Sequence, residues 1–360
     1  MPADASGPDA PSPDVVDVAL TLLRAESTSG AEGPAVDAAE RLLAARGWRT
    51  RRIPVTPGRD DVFAEAAGRP AEVVLSTHLD TVPPYIAPRL EDGPGGGRLW
   101  GRGACDAKGI AAAMVCAAER LRARGVPVGL LFVVGEEVTH DGAHAADAAR
   151  AAVAPRARAL VNGEPTESAL AAGTKGALRF VLRARGRAAH SAYPHLGASA
   201  TALLTRLLVD LEALELPHDA VLGATTVNVG SLAGGVADNV VAPWAEARCM
   251  ARLVTSAEAL RAVLDRWLAG RLEALGAPGR AELAYGVTVP PVRLGAVPGF
   301  RREVVAFATD IPALPSWGTP YLFGPGSIHV AHTDGEYVDV AELRAAVRAY
   351  ERIAEAALGA

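Results

Sequence analysis

The sequence predicts an α/β protein: a mainly parallel, helix-flanked sheet interrupted by a smaller α+β unit. Three observations predict it. Up to about residue 173, and again after about residue 291, apolar strand-length runs alternate with amphipathic helical patterns. Between those limits the pattern changes to apolar–polar alternation, as in GALRFVLRARGRAAH, which suits a half-solvated antiparallel strand. Finally, several apolar runs stop on carboxylates or imidazoles: VVLSTHLD, LLFVVGEE and ALVNGEP.

Taken in order, residues 1–13 (MPADASGPDAPSP) have no charged n-region and no apolar h-region, and read as a disordered lead, not a signal peptide. Ser12 followed by Pro13 resembles a helix cap before the apolar repeat DVVDVALTLLR. PAVDAAERLLAARG is a second helix closed by Gly47. WRTRRIPV and DVFAEA read as strands, and AEVVLSTH as a buried central strand. Residues 83–103 read as a loop whose Gly-rich tip suggests a hairpin, residues 106–124 as a helix, and VGLLFVV as another buried strand. A helix is expected from about His140 to Arg150, then the strand of ARALVNGEPTE.

The inserted unit, residues 174–291, is expected to hold a helix from about Ala198 to Leu214, strands at TTVNVGSLAGG, DNVVAPW and AEARCMARLV, a long helix, and a last strand at AELAYGVTV. Two helices on a small antiparallel sheet make it α+β. After Pro291 a short helix near Val304, a strand at TPYLF and a terminal helix from Val340 to Leu358 complete the larger domain, residues 14–173 with 292–360.

Bulk properties exclude several function classes. The chain has 360 residues, is half apolar and carries a net charge of −5 without a basic stripe, so nucleic acid is not an expected partner. No run approaches the ~20 apolar residues of a membrane span, so no membrane partner is expected either. Cys105, Cys116 and Cys249 have neither disulfide nor metal-site spacing, and read as reduced thiols of a cytoplasmic protein.

The chemistry lies at the strand ends. His78 and Asp80 are two apart, so period-2 geometry puts both on one face beyond a carboxyl end, where ligands of open α/β sheets sit. Imidazole is a good zinc ligand, and a neighbouring carboxylate can hold its other nitrogen. Alone, the pair would read as surface residues closing a strand. Asp106 follows a Gly-rich turn and opens a helix, as a ligand or simply an N-cap. It also occupies the third glycine position of a dinucleotide loop, which sets a nucleotide reading aside. Glu136 and Glu137 close an apolar strand, where burial is costly unless a cation or proton compensates. Adjacent side chains diverge, so one can ligate a metal while the other acts on a metal-bound water. Glu164 follows a further strand, and His329 and His332 share a Gly/Pro-rich loop between which spacing does not choose. Together these are N/O ligands suited to two divalent ions, with zinc favoured and cobalt or manganese able to occupy the same set.

STHLDTVPP, GRGACDAKG, VVGEEV, NGEPTE, GRAAHSAYPH, the NVG…GG…DNVVAP run and AHTDGEY occur in that order, and in this the chain resembles the M20 metallopeptidases and deacylases. The resemblance implies a zinc-hydrolase catalytic domain with an inserted ferredoxin-like lid that also forms a homodimer. It implies that His78, Asp106 and Glu164 hold one metal and that Asp106, Glu137 and His332 hold the other. His332 is favoured over His329 because it lies four residues before Glu336. Glu136 would be the general base, Asp80 would orient His78, and a cis peptide often follows the bridging Asp. In the lid, His190 would polarise the scissile carbonyl, in its own subunit's site or its partner's. Asn239, Gly234, Gly235 and Arg252 would contact the substrate's carboxylate end, although Met250 stands where an Asp is usual. The implied substrate is an N-acyl amino acid, acetylornithine-like on the evidence of chain length and the GPGSIHVAH loop. The alternatives are a dipeptidase, carboxypeptidase or desuccinylase acting on a short peptide or related amide, or a non-catalytic metal-binding relative.

Overall fold

The computed structural model describes residues 14–359, so the expected lead over residues 1–13, with Ser12 and Pro13, lies outside the described residues. The first helix, Val15–Leu23, is capped by Asp14, whose carboxylate accepts from the Val16 amide at 2.9 Å. The cap is therefore Asp14 where the sequence suggested Ser12; its charge also complements the helix dipole.

Backbone contacts divide the chain into two units. The first contains the described residues up to Ala172, together with Leu294–Glu303 and the chain from Thr309 onward; the second is Gly173–Arg293 with Val304–Ala308. The first unit is built on a six-stranded sheet. Its order is Arg49–Thr56, Arg59–Glu65, Val128–Val133, Val73–His78, Ala159–Asn162, Thr319–Leu322. The last four strands run parallel, and the first two are added antiparallel.

The central strands are apolar along their whole length because both faces are covered. Val73, Leu75, Leu130 and Phe132 join a core with the helices Lys108–Ala123 and Val340–Gly359. Val74, Leu131, Val133 and Leu160 join a second core against the helix Asp141–Val153. Doubly covered parallel strands have no solvated face to make polar. The glycine-rich segment is the expected hairpin, Arg89–Glu91 with Arg98–Trp100, and Tyr337–Asp339 pairs along it.

The second unit has an antiparallel sheet in the order Thr226–Gly234, Trp244–Leu253, Gly176–Arg185, Ala281–Val289. Leu178, Phe180, Leu182 and Ala184 face a core with the helices Ala200–Glu212 and Ala257–Ala274, while Arg179, Arg183 and Arg185 are exposed. Ser199 and Ser256 cap the two helices.

Two expectations are corrected. Arg302–Val305 is a strand, not a short helix near Val304; its β-branched valines fit an extended backbone, and the Val305 carbonyl accepts from the Lys175 amide at 3.0 Å. DNVVAPW forms no full strand, only a single bridge between Val240 and His190, because Pro243 has no amide with which to extend a ladder.

Candidate metal centre

The central strand delivers His78 at its carboxyl end, where the residue is 1% exposed. Nδ1 lies 2.9 Å from the backbone oxygen of Asp80, and 3.5 Å from its carboxylate. A carbonyl only accepts, so Nδ1 carries the proton. The sequence reading has the Asp80 carboxylate orienting this ring; the shorter contact is to the Asp80 main chain instead. Nε2 then faces Asp106 Oδ1 at 3.0 Å. Two acceptors at that distance require something positive between them, a proton or a cation.

The Asp80 carboxylate has another task. It accepts from Ser29 Oγ at 2.8 Å, from the Glu136 amide at 3.1 Å and from the Glu137 amide at 3.2 Å. Burial pushes Asp80 up, but His78 and these donors outweigh it and hold the carboxyl below its usual range. The turn that points the two glutamate amides at Asp80 needs Gly135, at φ 78°; a side chain there would be strained and would run into those of Asp141 and Arg59.

Asp106 lies before the helix Lys108–Ala123, and the N-cap position is Ala107, with no side-chain cap. Asp106 is therefore not spent as a cap, and the peptide that follows it is cis. Its loop is held by Glu336, whose Oε1 accepts from the amides of Gly103 (2.9 Å), Cys105 (3.1 Å) and Asp106 (3.1 Å). Glu336 Oε2 pairs with Arg102 at 2.7 Å, both side chains being buried. Sequence reasoning used Glu336 only to locate His332 and missed Arg102, because neither stands at a strand end.

Glu164 is 4% exposed, and its Oε1 has no hydrogen-bond partner among the described residues. Burial, then the charge of Glu136, pushes Glu164 well above the ordinary carboxylate range. Ligand atoms of His78, Asp106 and Glu164 all lie within 4.8 Å of one another, as do those of Asp106, Glu137 and His332. Asp106 is common to both groups. His332 Nε2 is 2.9 Å from Glu137 Oε1 and 3.3 Å from Asp106 Oδ2, and these two carboxylates push the ring up to about 10. Asp106 itself is held low: burial raises it, but His332 and His78 outweigh that. His329 enters neither group; its amide donates to Ser327 Oγ.

Glu136 falls instead in a third group, with His140 and Asp310, residues that sequence reasoning passed over. Burial pushes Glu136 well above the ordinary range. The donor set fits cations. His78, Asp106 and Glu164 are buried together and Glu164 Oε1 has no partner among the described residues, so a cation among them would offset the cost of burying the carboxylates. The three cysteines are buried, and burial raises the Cys105 thiol, so no thiolate competes for a metal.

In the second unit, His190 and Asn239 come together: the Ser191 amide donates to the Asn239 carbonyl at 2.9 Å, and His190 bridges Val240. Gly234 ends the edge strand opposite Ala245, with Gly235 following at φ 78°. Arg252 pairs with Thr226 at the other end of the same ladder. At about 3.3 Å per residue it stands roughly 23 Å along the strand from Ala245. The residues read as one carboxylate-binding group are thus split between the two ends of this sheet.

The model of peptidase family M20/M25/M40 matches residues 74–356. The chain belongs to this family. A protein named probable carboxypeptidase from Aspergillus terreus is 39% identical over 376 residues, covering 94% of this chain and 85% of its own length. Among solved structures, aminopeptidase PepT from Bacillus cereus superposes with a TM-score of 0.79 at 18% identity, over 96% of this chain and 98% of that one. A Bacillus subtilis protein described as a dinuclear metal binding peptidase from the M20 family gives 0.68 at 16% identity, over 94% and 96%. These neighbours share the fold. As a member of the M20 family, the chain is a metal-dependent hydrolase of amide bonds. No helix among the described residues is long and apolar enough to cross a membrane.

Proposed function

We propose that this M20 peptidase is a dinuclear metallopeptidase that releases the C-terminal residue of short peptides. The observation that carries the reading is the pair of three-ligand groups meeting at Asp106. His78, Asp106 and Glu164 would hold one divalent ion, and Asp106, Glu137 and His332 the other. Imidazole nitrogen beside carboxylate oxygen suits zinc, and cobalt or manganese could occupy the same donors. Bound there, such ions would acidify a water and polarise the scissile carbonyl.

The protein's own residues supply the rest. Glu136, which belongs to neither ligand group but whose charge acts on His78 and Glu164, takes the water's proton and returns it to the leaving amine. Asp80 fixes the Glu136–Glu137 turn through two amides. Glu336 fixes the Asp106 loop through three. His190 would polarise the scissile carbonyl, and Asn239, Gly234, Gly235 and Arg252 would contact the substrate's carboxylate end. Two chains would pair through the second unit, where the edge strand exposes Leu232 and the neighbouring helix exposes Val209.

Similarity to a protein named probable carboxypeptidase supports the carboxypeptidase or dipeptidase alternative over the acetylornithine deacetylase reading. The test is a screen of zinc-loaded chain against benzyloxycarbonyl-glycyl-leucine, free dipeptides and N-acetyl and N-succinyl amino acids. Release of leucine from the blocked dipeptide is expected to exceed turnover of the N-acyl amino acids. Glu136→Gln should lower that rate by about 10²–10⁴-fold with zinc content unchanged. Preferential N-acyl cleavage would restore the deacetylase reading, and near-normal turnover by Glu136→Gln would remove the base assignment.

A further inference from the structure

The Glu136 carboxylate accepts no hydrogen bond among the described residues, although a general base must point in one direction to work. Among the described residues its one ion-pair contact is to His140, whose Nδ1 lies 4.0 Å from Glu136 Oε1, beyond hydrogen-bond distance. That nitrogen also lies 2.9 Å from Asp310 Oδ1, and since a carboxylate only accepts, Nδ1 donates. Asp310 comes from a distant part of the chain, is 1% exposed, and its Oδ2 has no partner among the described residues. His140 is the only side chain bonded to its carboxylate there. A buried carboxylate kept half-satisfied for a single imidazole is a costly arrangement.

The backbone adds an independent sign. His140 adopts φ 53° and ψ 21°, a left-handed conformation that residues other than glycine rarely take. It is held there by its amide donating to Gly135 O at 2.8 Å, at the end of the turn that carries both glutamates. Strained backbone next to a reacting group is a reason to look for a function.

We propose that His140, tethered by Asp310, is a positioning residue that fixes the direction of the Glu136 carboxylate. The inference rests on the reading of Glu136 as general base. The ring touches neither ligand group, so its loss should misdirect the base without releasing metal or weakening substrate binding.

The test uses zinc-loaded full chain and benzyloxycarbonyl-glycyl-leucine. His140→Gly suits the left-handed backbone and removes only the ring. Its kcat is expected to fall roughly 10- to 100-fold, the scale of a misplaced catalytic group, with KM within about threefold. Asp310→Asn should lower kcat in the same sense, and adding it to His140→Gly should cost nothing more, as for residues acting as one unit. Zinc per chain should not change. A His140→Gly kcat within about twofold of wild type would overturn the proposal, as would additive losses in the double variant, each being outside what a coupled pair gives. A fall in zinc per chain would also overturn it, by making Glu136, His140 and Asp310 a cation site. Should His140→Gly not fold, Asp310→Asn carries the same kcat-against-KM test. An inactive Glu136→Gln beside a normal His140→Gly would sink this inference alone, whereas an active Glu136→Gln would sink the reading beneath it.

Discussion

The two sheets of this protein treat polar side chains in opposite ways. In the first unit the strands Val73–His78 and Val128–Val133 are buried from end to end, and charged groups gather only where they stop. In the second unit every other residue from Arg179 to Arg185 is polar or partly solvated, as a one-faced antiparallel sheet requires. A carboxylate at the end of a doubly covered strand has no structural reason to be there and so points to chemistry. An arginine on the open face of the other sheet needs no explanation. The same residue types thus carry information in one unit and almost none in the other.

Substitutions can sharpen that contrast. The largest effect on the fold is expected from Glu336→Ala, which strands Arg102 and three amides in a buried place. Removing one partner of a buried ion pair costs about 3–5 kcal/mol, readable by denaturant unfolding. A loss under about 1 kcal/mol, the range of an exposed pair, would mean that the Asp106 loop is not held by this carboxylate.

Next comes the pH dependence of zinc binding. Asp106 and Glu137 keep the His332 ring protonated up to about 10, and an imidazole must lose that proton to ligate. Metal must therefore displace a proton at neutral pH, so affinity should rise with pH, by up to about tenfold per unit for each proton displaced. Calorimetry in buffers of different ionisation enthalpy measures the released proton directly. Affinity independent of pH below that range would remove His332 from the ligand set.

The smallest effect on the fold is expected in the second unit. Arg252→Ala, on a half-exposed strand position, should change stability by no more than about 0.5 kcal/mol. Any large effect on turnover of benzyloxycarbonyl-glycyl-leucine would then report substrate contact, the role that exposure hides. If stability fell instead by several kcal/mol, the open sheet face would be as structural as the buried one, and the contrast would fail.

How much could be read beforehand follows from the same physics. His78, Asp106, the Glu136–Glu137 pair and Glu164 stood out because each interrupts or follows an apolar run or a Gly-rich turn, while the choice of Glu137 as ligand and of His332 over His329 came from the family resemblance; the structure gathers His78, Asp106, Glu137, Glu164 and His332 into two groups sharing Asp106. Period and composition also located the long helices and the longer strands, but not short strands such as Leu170–Thr174 and Tyr337–Asp339. What could not be read was long-range. Asp310 lies in a short irregular segment with no pattern, and only folding places it against His140. Glu336 sits in a turn and acts through backbone amides, which leave no mark on side-chain spacing. The helix expected near Val304 failed because a strand partner outweighed a weak local preference.

The central claim is that Asp106 serves two cations at once. Elemental analysis of zinc-saturated, desalted chain tests it most directly, with wild type beside Asp106→Ala. The account predicts two zinc ions per chain in the wild type and neither retained when the shared carboxylate is removed. One ion per wild-type chain, or two still bound after the substitution, would contradict it.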